Sequence, residues 1–258
     1  MTAIALQGVT KRFRSYDRGH KWLRRELVEM VTGRRSKGDC WTVLHDIDLR
    51  IEAGEIVAIV GRNGSGKSTL LKLMAGILQP NAGRVTHQGV ICALLDIGTG
   101  FHEDLTGREN VFVNGAILGL RENRLRQLLP EVEAFAELEG FMDTPLRYYS
   151  SGMRARLGFA VAMSANPDIF LIDEVLSVGD EGFRRKCSAK LDELVARGRT
   201  IVIVSHDLEA VQRLCARGVW LHEGTIVEDG PIAGVCARYV ERFNVSEEAP
   251  LETAGGTT

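Results

Sequence analysis

Two segments near the start of the chain alternate apolar and polar residues with a period of two. They are ALQGVTKRF (residues 5–13) and TVLHDIDLRIEAGE (42–55), where Ile47, Leu49 and Ile51 interleave with Asp48 and Arg50. That period predicts half-buried strands of an antiparallel region. EIVAIV (55–60) is different: after Glu55 it is wholly apolar, as a strand covered on both faces must be, and a glycine-rich turn leads from it into the helical TLLKLMAGIL (69–78). After VICALL (90–95) the character turns helical, with Thr106 and Glu109 spaced as a capping box and RENRLRQLLPEVEAFAELEG (121–140) supplying further turns. PDIFLID (167–173) returns to buried strand, GFRRKCSAKLDELVARG (182–198) to amphipathic helix and TIVIVSHD (200–207) to strand. A hairpin turning at Glu223-Gly224 follows, then a last helix begun by Pro231. From Asn244 the tail has three glutamates, no basic residue and two adjacent glycines, and it reads as disordered. Strand–helix alternation around a parallel core, with β material before it and a helical block within it, predicts an α/β fold with two subdomains.

Composition narrows the class. A chain of 258 residues, 45% apolar and 26% charged, fits one domain, or one domain carrying a subdomain, with a sizeable core. No apolar run approaches the roughly 18 residues of a membrane span. The N-terminus places its apolar residues before its charges, the reverse of a secretory signal. Cys40, Cys92, Cys187, Cys215 and Cys236 are far apart and odd in number, which argues against a disulfide framework and against a zinc site. The net charge of −2 suggests no nucleic-acid partner, but its distribution matters more. Residues 11–37 hold ten Lys/Arg against three Asp/Glu, leaving the rest of the chain at −9. The basic block is either a docking surface for something anionic or a solvated segment.

Gly61, Arg62, Asn63, Gly64, Ser65, Gly66, Lys67 and Ser68 match the phosphate-binding pattern G-x-x-x-x-G-K-[ST], between a buried strand and a helix opened by Thr69. Glycines let successive backbone N–H groups turn toward phosphate oxygens, and the helix adds its positive end. Lys67 is expected on the β- and γ-phosphates and Ser68 on Mg²⁺. The strand at 169–173 ends in Asp173 and Glu174. Asp173 is expected in the Mg²⁺ shell, and Glu174 to polarise a water for attack on the γ-phosphate. His206 follows the strand at 200–204, at the carboxyl end where parallel sheets bind ligands; otherwise it is structural.

Tyr149-Ser150-Ser151-Gly152-Met153 resembles the LSGGQ signature of ATP-binding-cassette ATPases. Phosphate loop, signature, acidic strand, Ser177-Val178-Gly179-Asp180 and Ser205-His206-Asp207 occur in that family's order, and the resemblance spans about residues 3–243. It implies a P-loop NTPase core with an N-terminal antiparallel β subdomain and an inserted helical subdomain over about 98–165, the basic insertion falling at about 14–40. It implies ATP and Mg²⁺ as ligands, and a homodimer that sandwiches ATP between one copy's phosphate loop and the other's signature. Ser150, Ser151 and Gly152 are then expected at the γ-phosphate, Asp180 at the subunit contact, Glu174 as catalytic base and His206 as γ-phosphate sensor. Phe13 sits where the family stacks an aromatic on adenine, with a core role as the alternative and Tyr16 in reserve.

The departures are informative. Tyr149, Ser151 and Met153 stand where the family has Leu, Gly and Gln. Counting back from Leu105-Thr106 for the family's glutamine lands on Ile97, so that residue is absent, and Asp96 beside it is the candidate replacement on Mg²⁺. LLDIGTGFHEDLTGRENVFVNGAILGL, YSSGMRARLGFAVA and IDEVLSVGDEGFRRKC resemble the subfamily that exports bacterial surface polysaccharides: O-antigen, capsule and teichoic acid. The insertion after the first strand is also similar to that subfamily; with only a short tail after Phe243, the carbohydrate-binding domain some members carry is expected to be absent, unless it has been removed from the chain. The resemblance implies a peripheral subunit on the cytoplasmic face of the inner membrane, driving a lipid-linked polysaccharide through an integral-membrane permease, with the helices around 100–120 passing the motion on. Within the insertion, KWLRRELVEMV places Leu23, Leu27, Met30 and Val31 on one helical face and Arg24 and Arg25 elsewhere, a basic amphipathic helix that meets membrane or permease or else covers the chain's own sheet. The rivals are another ABC transporter ATPase, a soluble ABC protein, and a P-loop kinase, the last leaving signature and histidine unexplained.

Overall fold

The computed structural model describes residues 1–14, 40–95, 100–173, 180–205 and 207–247. Strands β1 (Thr2–Arg14) and β2 (Cys40–Glu52) pair antiparallel, from Thr2↔Glu52 to Arg14↔Cys40, so their far ends flank the basic segment. The chain then forms β3 (Ile56–Val60), the glycine turn and α1 (Lys67–Met74), and returns as β4 (Ala82–His87) on the other side of β1. α1 starts at Lys67, inside the glycine loop and two residues before the helix read from the pattern. β4 has no counterpart in the hydrophobic pattern. It is exposed at every position but Val85, and it exists because it hydrogen-bonds along the edge of β1.

β5 (Ile91–Leu94) leads into the helical block: α2 (Gly107–Ile117), α3 (Glu122–Ala136), a 3₁₀ turn (Leu146–Tyr148) and α4 (Ser151–Ser164). The capping box at α2 forms as expected. The Thr106 hydroxyl accepts from the Glu109 N–H at 3.2 Å, and the Glu109 carboxylate accepts from the Thr106 N–H at 2.8 Å. The chain re-enters the main sheet as β6 (Ile169–Asp173), followed by α5 (Glu181–Ala196), β7 (Thr200–Val204), α6 (Leu208–Leu214), β8 (Arg217–His222), β9 (Thr225–Pro231) and α7 (Ile232–Glu247).

The main sheet has the order β5-β6-β7-β3-β8-β9, parallel except for β9, which returns antiparallel from β8 through the predicted hairpin. Its central strands are apolar on both faces because both faces are covered. Val57, Ile59, Leu171 and Val204 pack with α1 and the three-stranded sheet, whereas Ala58, Val60, Phe170 and Ile203 pack with α4, α5 and α7. Each large side chain so covered stabilises the fold by about 1.5–3 kcal/mol before entropy is counted. Leu70, Leu71, Leu73 and Met74 of α1 are all buried, which fixes the helix that the glycine loop feeds. The helical block has a core of its own around Val111, Val132, Leu146 and Leu157. Among the described residues, no helix is long and apolar enough to cross a membrane. The segment 15–39 with Tyr16, together with Asp96, Ile97, Glu174, Ser177, Val178, Gly179, His206 and the tail from 248, lies outside the described residues.

Candidate functional site

The turn between β3 and α1 is shaped by what two glycines leave out. A Cβ on Gly61 would lie 2.2 Å from the Leu221 carbonyl oxygen, so only glycine lets the loop pass against β8. Gly66 caps α1 with φ of 105°, a left-handed conformation, and no side chain caps the helix there. The positive end of α1 therefore faces the loop with no side-chain cap from the residue that precedes it. Lys67 is buried, and its ammonium donates to the carbonyl oxygens of Gly61 at 2.7 Å and Arg62 at 3.0 Å.

A cavity of about 540 Å³ opens over this loop, lined by Asn63, Gly64, Gly66, Lys67, Ser68 and Thr69. Asp173, at the end of β6, lines the same cavity. Sheet order explains the meeting: β6 is separated from β3 by β7 alone, and the parallel strands all end on one side. The Ser68 hydroxyl and the Asp173 carboxylate are hard oxygen donors facing one space, which suits Mg²⁺. Val43 of β2 and Leu95, which the sequence reading did not pick out, form apolar parts of the wall.

The signature residues stand elsewhere. Ser150 caps α4, its hydroxyl accepting from the Met153 N–H at 3.1 Å, while Ser151 is exposed and a Cβ on Gly152 would meet the Ser150 hydroxyl in ordinary contact at 3.8 Å. None of the three lines the phosphate-loop cavity. Asp180 caps α5, accepting from the Phe183 N–H at 2.9 Å, and it too is outside that cavity. Tyr149 is buried, donates to the Phe141 carbonyl at 2.7 Å, and its hydroxyl is pushed above the ordinary tyrosine range, chiefly by burial.

Phe13 stacks on Trp41, its partner across the β1–β2 ladder, with ring centroids 6.1 Å apart. Phe13 does not line the cavity, but Trp41 lies on β2 two residues before Val43, which does. Trp41 was not singled out from the sequence, because its pairing with Phe13 is a ladder register that no motif carries. Arg62 does not line the phosphate-loop cavity. Its guanidinium lies 5.1 Å from the Phe243 ring centroid on α7, and it lines a second cavity with His222, Glu223 and Tyr239.

A strand–glycine loop–helix with a buried lysine and an aspartate brought in from the next strand but one defines a P-loop nucleotide-binding protein. Residues 44–177 match the family model described as ABC transporter, and the chain belongs to that family. It is 45% identical to the O-antigen export system ATP-binding protein RfbB of Myxococcus xanthus, over 99% of this chain and 61% of that one. It is 44% identical to RfbB of Klebsiella pneumoniae, over 79% of this chain and 82% of that one. With the teichoic acids export ATP-binding protein TagH of Bacillus anthracis it shares 40% identity, over 96% of this chain and 44% of the relative. The chain thus spans less than two thirds of the Myxococcus and Bacillus relatives. In fold it is similar to the ATP binding subunit of an ABC transporter (TM-score 0.74, 21% identity, 95% of this chain and 99% of that one). It is also similar to a dimeric, post-hydrolysis ATP-binding cassette bound to ADP and Pi (TM-score 0.70, 23% identity, 89% and 98%).

Proposed function

We propose that this chain is the ATP-hydrolysing subunit of an exporter for a lipid-linked cell-surface polysaccharide, acting as a homodimer beneath a separate permease on the cytoplasmic face of the inner membrane. The observation that carries the ATPase part is the division of the site. Lys67, Ser68 and Asp173 meet in one cavity, whereas Ser150, Ser151 and Gly152 form a helix start that lines none of it. A second copy that set its helix start against the first copy's γ-phosphate would complete the site. The names of the relatives, O-antigen and teichoic acid export proteins, support the cargo class.

On ATP arrival, Lys67 exchanges its two carbonyl acceptors for β- and γ-phosphate oxygens, and the N–H groups of the loop and of α1 take up the remaining charge. Ser68 and Asp173 would hold Mg²⁺, which when bound neutralises charge on the phosphates. Glu174, the next residue after Asp173, takes the proton of the attacking water, and His206 contacts the γ-phosphate. Closure and reopening of the dimer is passed to the permease by α2. A cleft of about 530 Å³ beside it, lined by Ile77, Leu78, Leu95, Phe101 and Ile117, supports this, since Ile77 and Ile117 are 60% and 69% exposed.

The test is a chromosomal Lys67→Ala strain. Surface polysaccharide should be lost while lipid-linked glycan accumulates inside the cell, and the tagged parent chain should co-purify with an integral membrane protein. Intact surface polysaccharide overturns the export reading.

A further inference from the structure

We infer that Phe243 is a positioning residue for the phosphate loop, acting through Arg62, so that docking of α7 and nucleotide binding reinforce each other. This rests on the loop being the ATP site. The loop is held on two sides by different means. Toward α1 the grip is internal: the Lys67 ammonium bonds the Gly61 and Arg62 carbonyls, and the Leu70 N–H bonds the Gly66 carbonyl. Toward the outside, residues 61–65 meet β8, the β8–β9 hairpin and α7, none of which lines the phosphate cavity. Gly61 passes against the Leu221 carbonyl, and the Gly224 N–H donates to the Ser65 carbonyl at 3.0 Å.

Between those two contacts the packing is open. A cavity of about 530 Å³ lies among residues 61–65, His222, Glu223 and Tyr239. Arg62 ties the loop to α7 beside this cavity by laying its guanidinium 5.1 Å from the Phe243 ring centroid. The ring is itself fixed. Tyr239, Trp220 and His222 surround it at centroid distances of 5.0, 6.2 and 6.0 Å, and Trp220 is buried in the main core. The residue whose side chain α7 holds is therefore the residue whose carbonyl receives Lys67.

A loop of this kind must present its N–H groups in one converged arrangement, and fixing it beforehand removes an ordering cost from binding. Releasing Arg62 should weaken ATP binding with little effect on the chemical step. By linkage, bound ATP must favour the docked α7 by the same factor.

The experiment measures ATP affinity by isothermal titration for the full chain and for Phe243→Leu, Phe243→Tyr, Arg62→Ala and the Arg62→Ala/Phe243→Leu double variant. Phe243→Leu and Arg62→Ala should each raise Kd roughly 2- to 30-fold, the range a cation–π contact spans from exposed to desolvated. The double variant should be no weaker than the worse single one, Phe243→Tyr should bind like the parent, and KM should rise with kcat nearly unchanged. In the parent, ATP should also slow amide hydrogen exchange across residues 239–243, and this protection should vanish in Arg62→Ala. Additive losses, parental affinity in Phe243→Leu, or no ATP-dependent protection of α7 overturns the inference. Were Phe243→Leu to misfold, the exchange comparison between parent and Arg62→Ala still decides it. A parent chain that binds no ATP fails the proposed function instead.

Discussion

Tyr149 donates its hydroxyl to the Phe141 carbonyl at 2.7 Å, and that hydroxyl oxygen lies 2.3 Å from where a Cβ on Gly107 would stand. The residue replacing the family's signature leucine thus locks the start of α4 against the start of α2. A tyrosine hydroxyl is already protonated, and so a donor, at neutral pH, and burial raises it further. A methyl at position 107 must displace a hydrogen-bonded ring, so Gly107→Ala is expected to destabilise by about 1–3 kcal/mol. Tyr149→Phe removes one hydrogen bond, for about 1 kcal/mol, while the Phe141 carbonyl keeps the Thr144 N–H at 2.9 Å. The double variant should cost less than the two together, because the crowding oxygen is gone. Urea unfolding of the four proteins measures this, and strict additivity would show that the two residues do not press on each other.

Acid should loosen the same corner. The Thr106 N–H holds the Glu109 carboxyl below the ordinary carboxylate range, and the Arg108 guanidinium, bonded at 2.8 and 3.2 Å, does the same for Asp143. Both groups are depressed in the folded state, so their stabilisation is complete above the ordinary carboxylate value and is lost as pH falls through the lower folded value. Both are exposed, and salt screens them, so the effect is modest. Glu109→Gln should be less stable than the parent at pH 7 and should lose less on acidification. A parent and variant whose midpoints fall in parallel below pH 5 would remove Glu109 from the account.

The phosphate loop was legible because its residues are contiguous and its chemistry tolerates few substitutes, and the buried strands because nothing polar interrupts them. β4 was not legible: no core faces it, so its positions need no alternation, and its partner lies far away in the chain. The direction of Arg62 was equally hidden. A loop position tells which backbone groups line a site, but the side chain turns toward Phe243, which the last helix supplies. Trp41 escaped notice because its significance is a register, Phe13↔Trp41, rather than a motif.

The basic segment offers a sharper contrast than its composition alone. If Arg24 and Arg25 face anionic headgroups, Arg24→Glu with Arg25→Glu should release the chain from vesicles containing anionic lipid, each charge contributing about 1 kcal/mol near the surface. ATPase activity in solution should hold. Parallel loss of folding and ATPase activity would mean the segment covers the protein's own sheet.

Glu174→Gln should separate ATP binding from hydrolysis. Glutamine keeps the shape and can donate or accept a hydrogen bond, but it cannot take the proton of the attacking water. General-base assistance is worth about 10²–10⁴-fold, so turnover should nearly stop. Lys67, Ser68 and Asp173 are untouched by the change, and ATP should still bind in the cavity they share. Ser150 and Gly152 stand outside that cavity in one chain, so under the proposed function they would reach the nucleotide only from a second copy. Without hydrolysis that copy has no cause to leave. Size-exclusion chromatography should show the variant shifting from monomer to dimer with Mg-ATP and staying monomeric with ADP. A variant that hydrolyses ATP at the parent rate removes Glu174 as the base and makes His206 the next residue to change. One that stops hydrolysing yet stays monomeric, with ATP bound, would instead count against completion of the site by a second chain.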